Sequence, residues 1–147
     1  MNVKTILAAK KRNLGGDIIG IEPTANLTAA VQLLAVHRIG ALVIRGAGER
    51  LAGILSERDI VRAIAEHGAS ALELPVGQMM TRDVETCDED ESCASIMERM
   101  TKGKFRHLPV MRYSKLAGLI SIGDVVKHRL DEIERESEAM RDYIRTA

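Results

Sequence analysis

Gly53-Ile54-Leu55-Ser56-Glu57-Arg58-Asp59 and Gly118-Leu119-Ile120-Ser121-Ile122-Gly123-Asp124 are two versions of one pattern, Gly-x-x-Ser-x-x-Asp. In each, a short apolar run ends at the serine and a helix-like segment begins by the aspartate, so each crosses from a strand into a helix. The similarity extends upstream. Leu42-Val43-Ile44 corresponds to Leu108-Pro109-Val110, and Leu27, Ala30, Val31 and Leu34 correspond to Cys93, Ile96, Met97 and Met100. Ile18 and Ile21 likewise correspond to Val84 and Cys87, every pair being 66 residues apart. The endings lie 65 apart, one residue having dropped from the intervening turn. A supersecondary unit is present twice.

The element types follow from the periods. Leu27 to Leu34 and Cys93 to Met100 carry apolar residues at i, i+3, i+4 and i+7, the stripe of an amphipathic helix. Runs of Val, Ile and Leu flank Gly46-Ala47-Gly48-Glu49 in one copy and Arg112-Tyr113-Ser114 in the other, which predicts β-hairpins. Each unit is therefore strand, helix, strand, strand, helix. The expected class is α+β, with tandem βαββα repeats, an N-terminal helical lead-in and an extended C-terminal helix.

Val3-x-x-Ile6-Leu7, ahead of the first unit, resembles Val76-x-x-Met79-Met80 ahead of the second. Pro75 marks the boundary, giving a first unit with its lead-in over residues 1–74 and a second with the C-terminal helix over 75–147. Ala8 to Asp17 is basic, contains Gly15-Gly16 and is expected to loop before the first strand. Beyond Asp124, Val126, Leu130, Ile133, Met140 and Ile144 keep three- and four-residue spacings interrupted by Ser137. Lys127–Asp131 and Asp131–Arg135 are i,i+4 opposite charges supporting a continuous helix there. Its stripe either packs on its own protein or dimerises, and a homodimer is the expectation.

Composition narrows the function classes. The chain has 147 residues, 46% of them hydrophobic and 29% charged, with no apolar run of membrane-spanning length. The start has too few apolar residues before Lys10-Lys11 for a secretory core, so a cytoplasmic location is expected. Cys87 and Cys93 match no metal or redox spacing and read as reduced thiols, and no zinc site is expected. Lys plus Arg and Asp plus Glu both number 21, so no net field draws the chain to nucleic acid or anionic lipid. Aromatic residues are confined to Phe105, Tyr113 and Tyr143, which leaves little for unpaired bases to stack on.

Ser-x-x-Asp before an apolar-periodic run is the sequence of a helix capping box. Its duplication at equivalent points gives a second use, because two helix N-termini with partial positive charge suit two related anion sites. Phosphate would repel the aspartate, yet a carboxylate accepts hydrogen bonds from vicinal sugar hydroxyls. Phosphate with vicinal hydroxyls describes a nucleotide.

These residues resemble the cystathionine β-synthase (CBS) domain pair, also called a Bateman module. The resemblance rests on Val76-Gly77-Gln78-Met79-Met80-Thr81, Phe105-Arg106-His107-Leu108-Pro109-Val110 and both Gly-x-x-Ser-x-x-Asp endings. It implies pseudo-twofold pairing of the units, two clefts between them and further assembly into disc-like dimers. It also implies ligands of the adenosine class: AMP, ADP, ATP, NAD or S-adenosylmethionine. Asp59 and Asp124 would then hold ribose hydroxyls, Ser56 and Ser121 would face phosphate, and apolar groups around Val84 and Pro109 would enclose adenine. Thr81 completes the expected site. Such pairs usually regulate an attached or partner protein, here an unknown one.

The two clefts are expected to differ. Arg106 and His107 precede the second strand of unit two where unit one has Gly40 and Ala41, while Arg58 occupies the position of Gly123. On this basis Asp124, Arg106 and His107 are expected to share the cleft that holds phosphate more tightly, with Arg58 serving the other. An enzyme is not expected, since the chain carries no nucleophile elbow, P-loop, kinase set or Gly-x-Gly-x-x-Gly fingerprint. NAD would bind as a ligand and not through a Rossmann site. The rival is an interaction scaffold whose capping boxes are only caps.

Overall fold

The computed structural model describes residues 2–14 and 18–146, with the backbone alone for residues 11–14 and 49. Helix α1 spans Val3–Leu14 and is followed by β1 (Gly20–Ile21), α2 (Leu27–His37), β2 (Ala41–Arg45), β3 (Leu51–Ser56) and α3 (Glu57–His67). The second unit repeats that order with β4 (Cys87–Asp88), α4 (Cys93–Gly103), β5 (His107–Arg112), β6 (Lys115–Ser121) and α5 (Ile122–Thr146). Each unit holds a three-stranded sheet in which the first strand runs parallel to the second and the second antiparallel to the third. The α+β class and tandem βαββα order are as the sequence predicts.

Local chemistry explains the correspondence. Asn26 caps α2 by accepting the Ala29 N–H at 2.9 Å, and Ser92, at the matching position, caps α4 through the Ser95 N–H at 3.1 Å. The β5–β6 turn places Tyr113 and Ser114 both at positive φ, the geometry that matches the twist of a two-residue hairpin. Register shifts fall at equivalent places, between Ile44 and Arg45 and between Val110 and Met111.

One expectation is corrected. Ala8 to Leu14, expected to loop, form the second half of α1, while residues 15–17 lie outside the described residues. Ala, Lys, Arg and Leu are strong helix formers, and they continue the helix that Val3, Ile6 and Leu7 begin.

The lead-ins are exchanged. Val3, Ile6 and Leu7 are buried in the core of the second unit with Cys93, Ile96 and Ile120, whereas Val76, Met79 and Met80 pack with Leu27, Leu42 and Leu55 of the first. Matched backbone bonds seat them. Val3 N–H donates to the Glu91 carbonyl at 3.0 Å and Val76 N–H to the Ala25 carbonyl at 2.8 Å. Lys4 N–H donates to Glu89 and Gly77 N–H to Pro23 in the same manner.

This exchange explains the glycine of the repeated ending. A Cβ on Gly118 would stand 2.5 Å from Leu7 Cδ2, and one on Gly53 would stand 2.6 Å from the Thr81 carbonyl oxygen and 2.8 Å from Met80 Sδ. Strand glycines mark such close approaches. A leucine side chain can shift, whereas the Thr81 carbonyl belongs to a bridge with Ile54 made of bonds of 3.0 and 2.9 Å. Gly53→Ala is therefore expected to destabilise the fold by about 2–3 kcal/mol and Gly118→Ala by nearer 1 kcal/mol, the span of overpacked cores. Urea unfolding of both variants checks this, and equal losses would contradict the backbone argument.

Candidate functional site

Each strand-to-helix ending closes into a reciprocal cap. Ser56 N–H donates to Asp59 Oδ2 at 2.9 Å, and Asp59 N–H donates to Ser56 Oγ at 3.4 Å. Ser121 N–H and Asp124 Oδ2 lie 2.8 Å apart, and the return bond from Asp124 N–H to Ser121 Oγ is 3.1 Å. The capping reading of both segments is thus realised. A carboxylate offers about four acceptor positions, so each aspartate keeps capacity for a further donor.

Around these endings lie two cavities, of about 550 and 500 Å³. Neither belongs to one unit. The first joins Ser56, Arg58 and Asp59 of unit one to Val84, Lys104 and Arg106 of unit two, and Thr81 lies in its wall. The second joins Ser121 and Asp124 of unit two to Ile18, Ile19 and Arg38 of unit one, with Leu7 and Lys10 from α1. His107 borders both, with its Cε1 3.3 Å from where a Gly40 Cβ would stand.

Two expectations change. Arg106 shares a cleft with Arg58 and Asp59, not with Asp124. Each unit contributes its ending to one cleft and the segment before its second strand to the other, so residues near in sequence face different cavities. The Arg106 carbonyl does meet α5, accepting Ile122 N–H at 2.8 Å, but its side chain lines the Asp59 cleft. Pro109 is buried in β5 opposite Leu119 and is not among the residues lining either cavity.

Sequence reasoning also missed residues. Arg38 and Lys104 occupy equivalent C-cap positions with φ of 53° and 57°, a left-handed conformation that non-glycine residues adopt at a cost of roughly 1–2 kcal/mol. Both present cations to a cleft. Lys10 was the larger omission. Its ammonium donates to the Leu119 carbonyl at 2.7 Å and to Asp124 Oδ2 at 3.0 Å. Its signal was helical spacing, since Val3, Ile6, Leu7 and Lys10 share one face.

The equivalent places in the first cleft are held by neutral donors. Thr81 N–H donates to the Ile54 carbonyl at 2.9 Å and Thr81 Oγ1 to Asp59 Oδ1 at 3.3 Å. Asp59 is 6% exposed, with Arg62 at 3.8 Å. Burial pushes the Asp124 carboxyl up, but the Ser121 amide and Lys10 outweigh it and hold it below its ordinary value. Burial, reinforced by Lys10 and by Arg106, pushes the His107 imidazole down against the pull of Asp124 and Glu57. Among the described residues no cluster of three or more His, Cys, Asp or Glu side chains could hold a metal ion. No described helix is long and apolar enough to cross a membrane.

Comparison with known proteins places this architecture. The CBS domain family matches residues 15–66 and 76–131, and the chain belongs to that family. It is 31% identical over 146 residues to a mitochondrial CBS domain-containing protein of Arabidopsis thaliana, covering 97% of this chain and 71% of that one. A crystal structure of a CBS-domain containing protein from Agrobacterium tumefaciens superposes with a TM-score of 0.81 at 41% identity, covering 88% and 99% of the two chains. The CBS domain pair of protein MJ0100, solved in complex with 5′-methylthioadenosine and S-adenosyl-L-methionine, gives 0.75 at 25% identity, covering 90% and 98%.

The depressed His107 has a defined sign. The unfolded chain takes up a proton near the ordinary value of 6.5 before the folded one does, so stability is lost as pH falls below that value. Asp124 acts lower, stabilising the fold above its ordinary value of 3.8 and ceasing to do so as pH falls through its depressed one. Urea unfolding between pH about 7 and about 5.5 should show a shallower decline for His107→Gln than for the unaltered chain. Identical slopes would count against this assignment.

Proposed function

We propose that this chain is a regulatory module that binds an adenosine-type ligand, AMP, ADP, ATP or NAD, between its two repeats and signals nucleotide state to a partner protein. The observation that carries the reading is the composition of the Asp59 cleft. A buried carboxylate able to accept ribose hydroxyls lies beside the N-terminus of α3, with Arg58, Lys104 and Arg106 around the same cavity. Phosphate suits these cations, and Val84 and Ile54 offer apolar surface to a base. The adenosine compounds bound by the MJ0100 pair support the same ligand class.

The role is binding and not turnover. Ser56, Asp59, Ser121 and Asp124 are engaged in helix caps, and His107 borders both cavities instead of activating one nucleophile. Free, buried Cys87 and Cys93 fit a reducing compartment such as the cytoplasm, burial and then the Glu91 charge pushing the Cys87 thiol up to about 12. The scaffold reading draws support from the same caps, which complete themselves within the chain.

Helix α5 suggests the assembly. It runs for 25 residues, roughly 37 Å, and its stripe is uncovered, with Leu130 57% and Ile144 67% exposed. A homodimer that joins these stripes would bury them. Sedimentation should find a dimer that Leu130→Glu dissociates, and a monomeric unaltered chain would overturn the assembly.

For the ligand, thermal melting with AMP, ATP, NAD and S-adenosylmethionine separates sensor from scaffold. A ligand at 100 times its Kd adds about 2.7 kcal/mol to the folded state. Asp59→Ala and Asp124→Ala should each weaken binding of the responding ligand at one cleft by about tenfold, measured by calorimetry. No shift with any of the four compounds would favour the scaffold.

A further inference from the structure

The clefts are built from equivalent segments, yet their charge differs. The described residues lining the Asp59 cleft include four basic side chains, Arg58, Arg62, Lys104 and Arg106, and four acidic ones. Those lining the second cleft include one acid, Asp124, and two permanent cations, Lys10 and Arg38, set among the apolar side chains of Leu7, Ile18, Ile19 and Leu119. Among the described residues, the lining of the first cavity is balanced in sign and that of the second is not.

Lys10 is the source of much of this difference. In the first cleft a threonine satisfies both the Ile54 carbonyl and the Asp59 carboxylate with neutral donors. In the second, a single ammonium satisfies the equivalent pair, Leu119 and Asp124. The ion pair is partly sheltered, its side chains being 29% and 26% exposed. An ammonium has three donors, so Lys10 retains one beyond those two bonds. A neutralised Asp124 no longer repels an anion, while its remaining acceptor capacity still suits a ribose hydroxyl.

We propose that Lys10 is the specificity-determining residue of the Asp124 cleft, selecting an adenosine ligand with a negatively charged group near the ribose over the uncharged nucleoside. The selection rests on the adenosine reading above and adds which chemical form the second cleft takes. The discrimination is direct, because an anionic group meets the remaining ammonium donor while an uncharged nucleoside leaves it unmet. The cation comes from α1, the exchanged lead-in, so an anion in this cleft also contacts the N-terminal helix.

Methyl NMR titration distinguishes the clefts, with Ile18 and Ile19 reporting on the second and Val84 on the first. AMP and adenosine are the probes. In the unaltered protein AMP should bind the second cleft more tightly than adenosine. Lys10→Met keeps the aliphatic stem and should weaken AMP at Ile18 and Ile19 by about tenfold, leaving adenosine there and AMP at Val84 unchanged. Lys10→Arg should restore the preference for AMP. Equal weakening of AMP and adenosine would show a purely structural Lys10 and overturn the proposal, as would an unchanged AMP affinity. If neither probe perturbs any of these methyls in the unaltered protein, the adenosine reading itself falls, and this assignment with it.

Discussion

The close approach of each lead-in to the other unit's third strand is the contact on which the rest of the molecule depends. Leu7 lies against Gly118 and Met80 against Gly53, so near that a Cβ on either glycine would stand 2.5 and 2.8 Å, respectively, from their side chains and force a shift. Because the donor of each contact belongs to the opposite repeat, neither core is complete within one unit. The clefts inherit that dependence. Their walls meet across the same exchange, which brings Thr81 to Asp59 and Lys10 to Asp124.

Duplication supplies two equivalent sites, and individual substitutions make them unlike. Replacing a hydroxyl and an amide by one ammonium keeps the donors to the ending's carbonyl and carboxylate while adding a positive charge beside them. His107 adds a further asymmetry at the centre, since its counterpart is Ala41 and its ring packs against Gly40. Burial and Lys10 favour the neutral imidazole there. A shared side chain between two cavities links them physically as well as by symmetry.

Much of the site was legible as composition and little of it as partnership. The serines and aspartates of both endings could be read because a cap is local, its bonds spanning three residues. Arg106 was read as a cleft residue but assigned to the wrong cavity, because its side chain faces the other unit's ending. Pro109 looked available to a base and is enclosed in β5. Lys10 lay hidden in a basic run whose glycines suggested a loop, although its helical spacing from Val3, Ile6 and Leu7 was present throughout.

By itself the sequence determined the two βαββα units, their α+β class, the caps and hairpins, and the continuity of α5. These depend on hydrophobic period, turn chemistry and capping residues, which act over a few positions and need no knowledge of distant partners. Only the tertiary structure decided which unit each lead-in joins, which cleft receives Arg106, and that Lys10 meets Asp124 across 114 residues of chain. Such pairings follow from how two surfaces of related pattern dock. Their similarity hides from any local pattern which copy a residue will face.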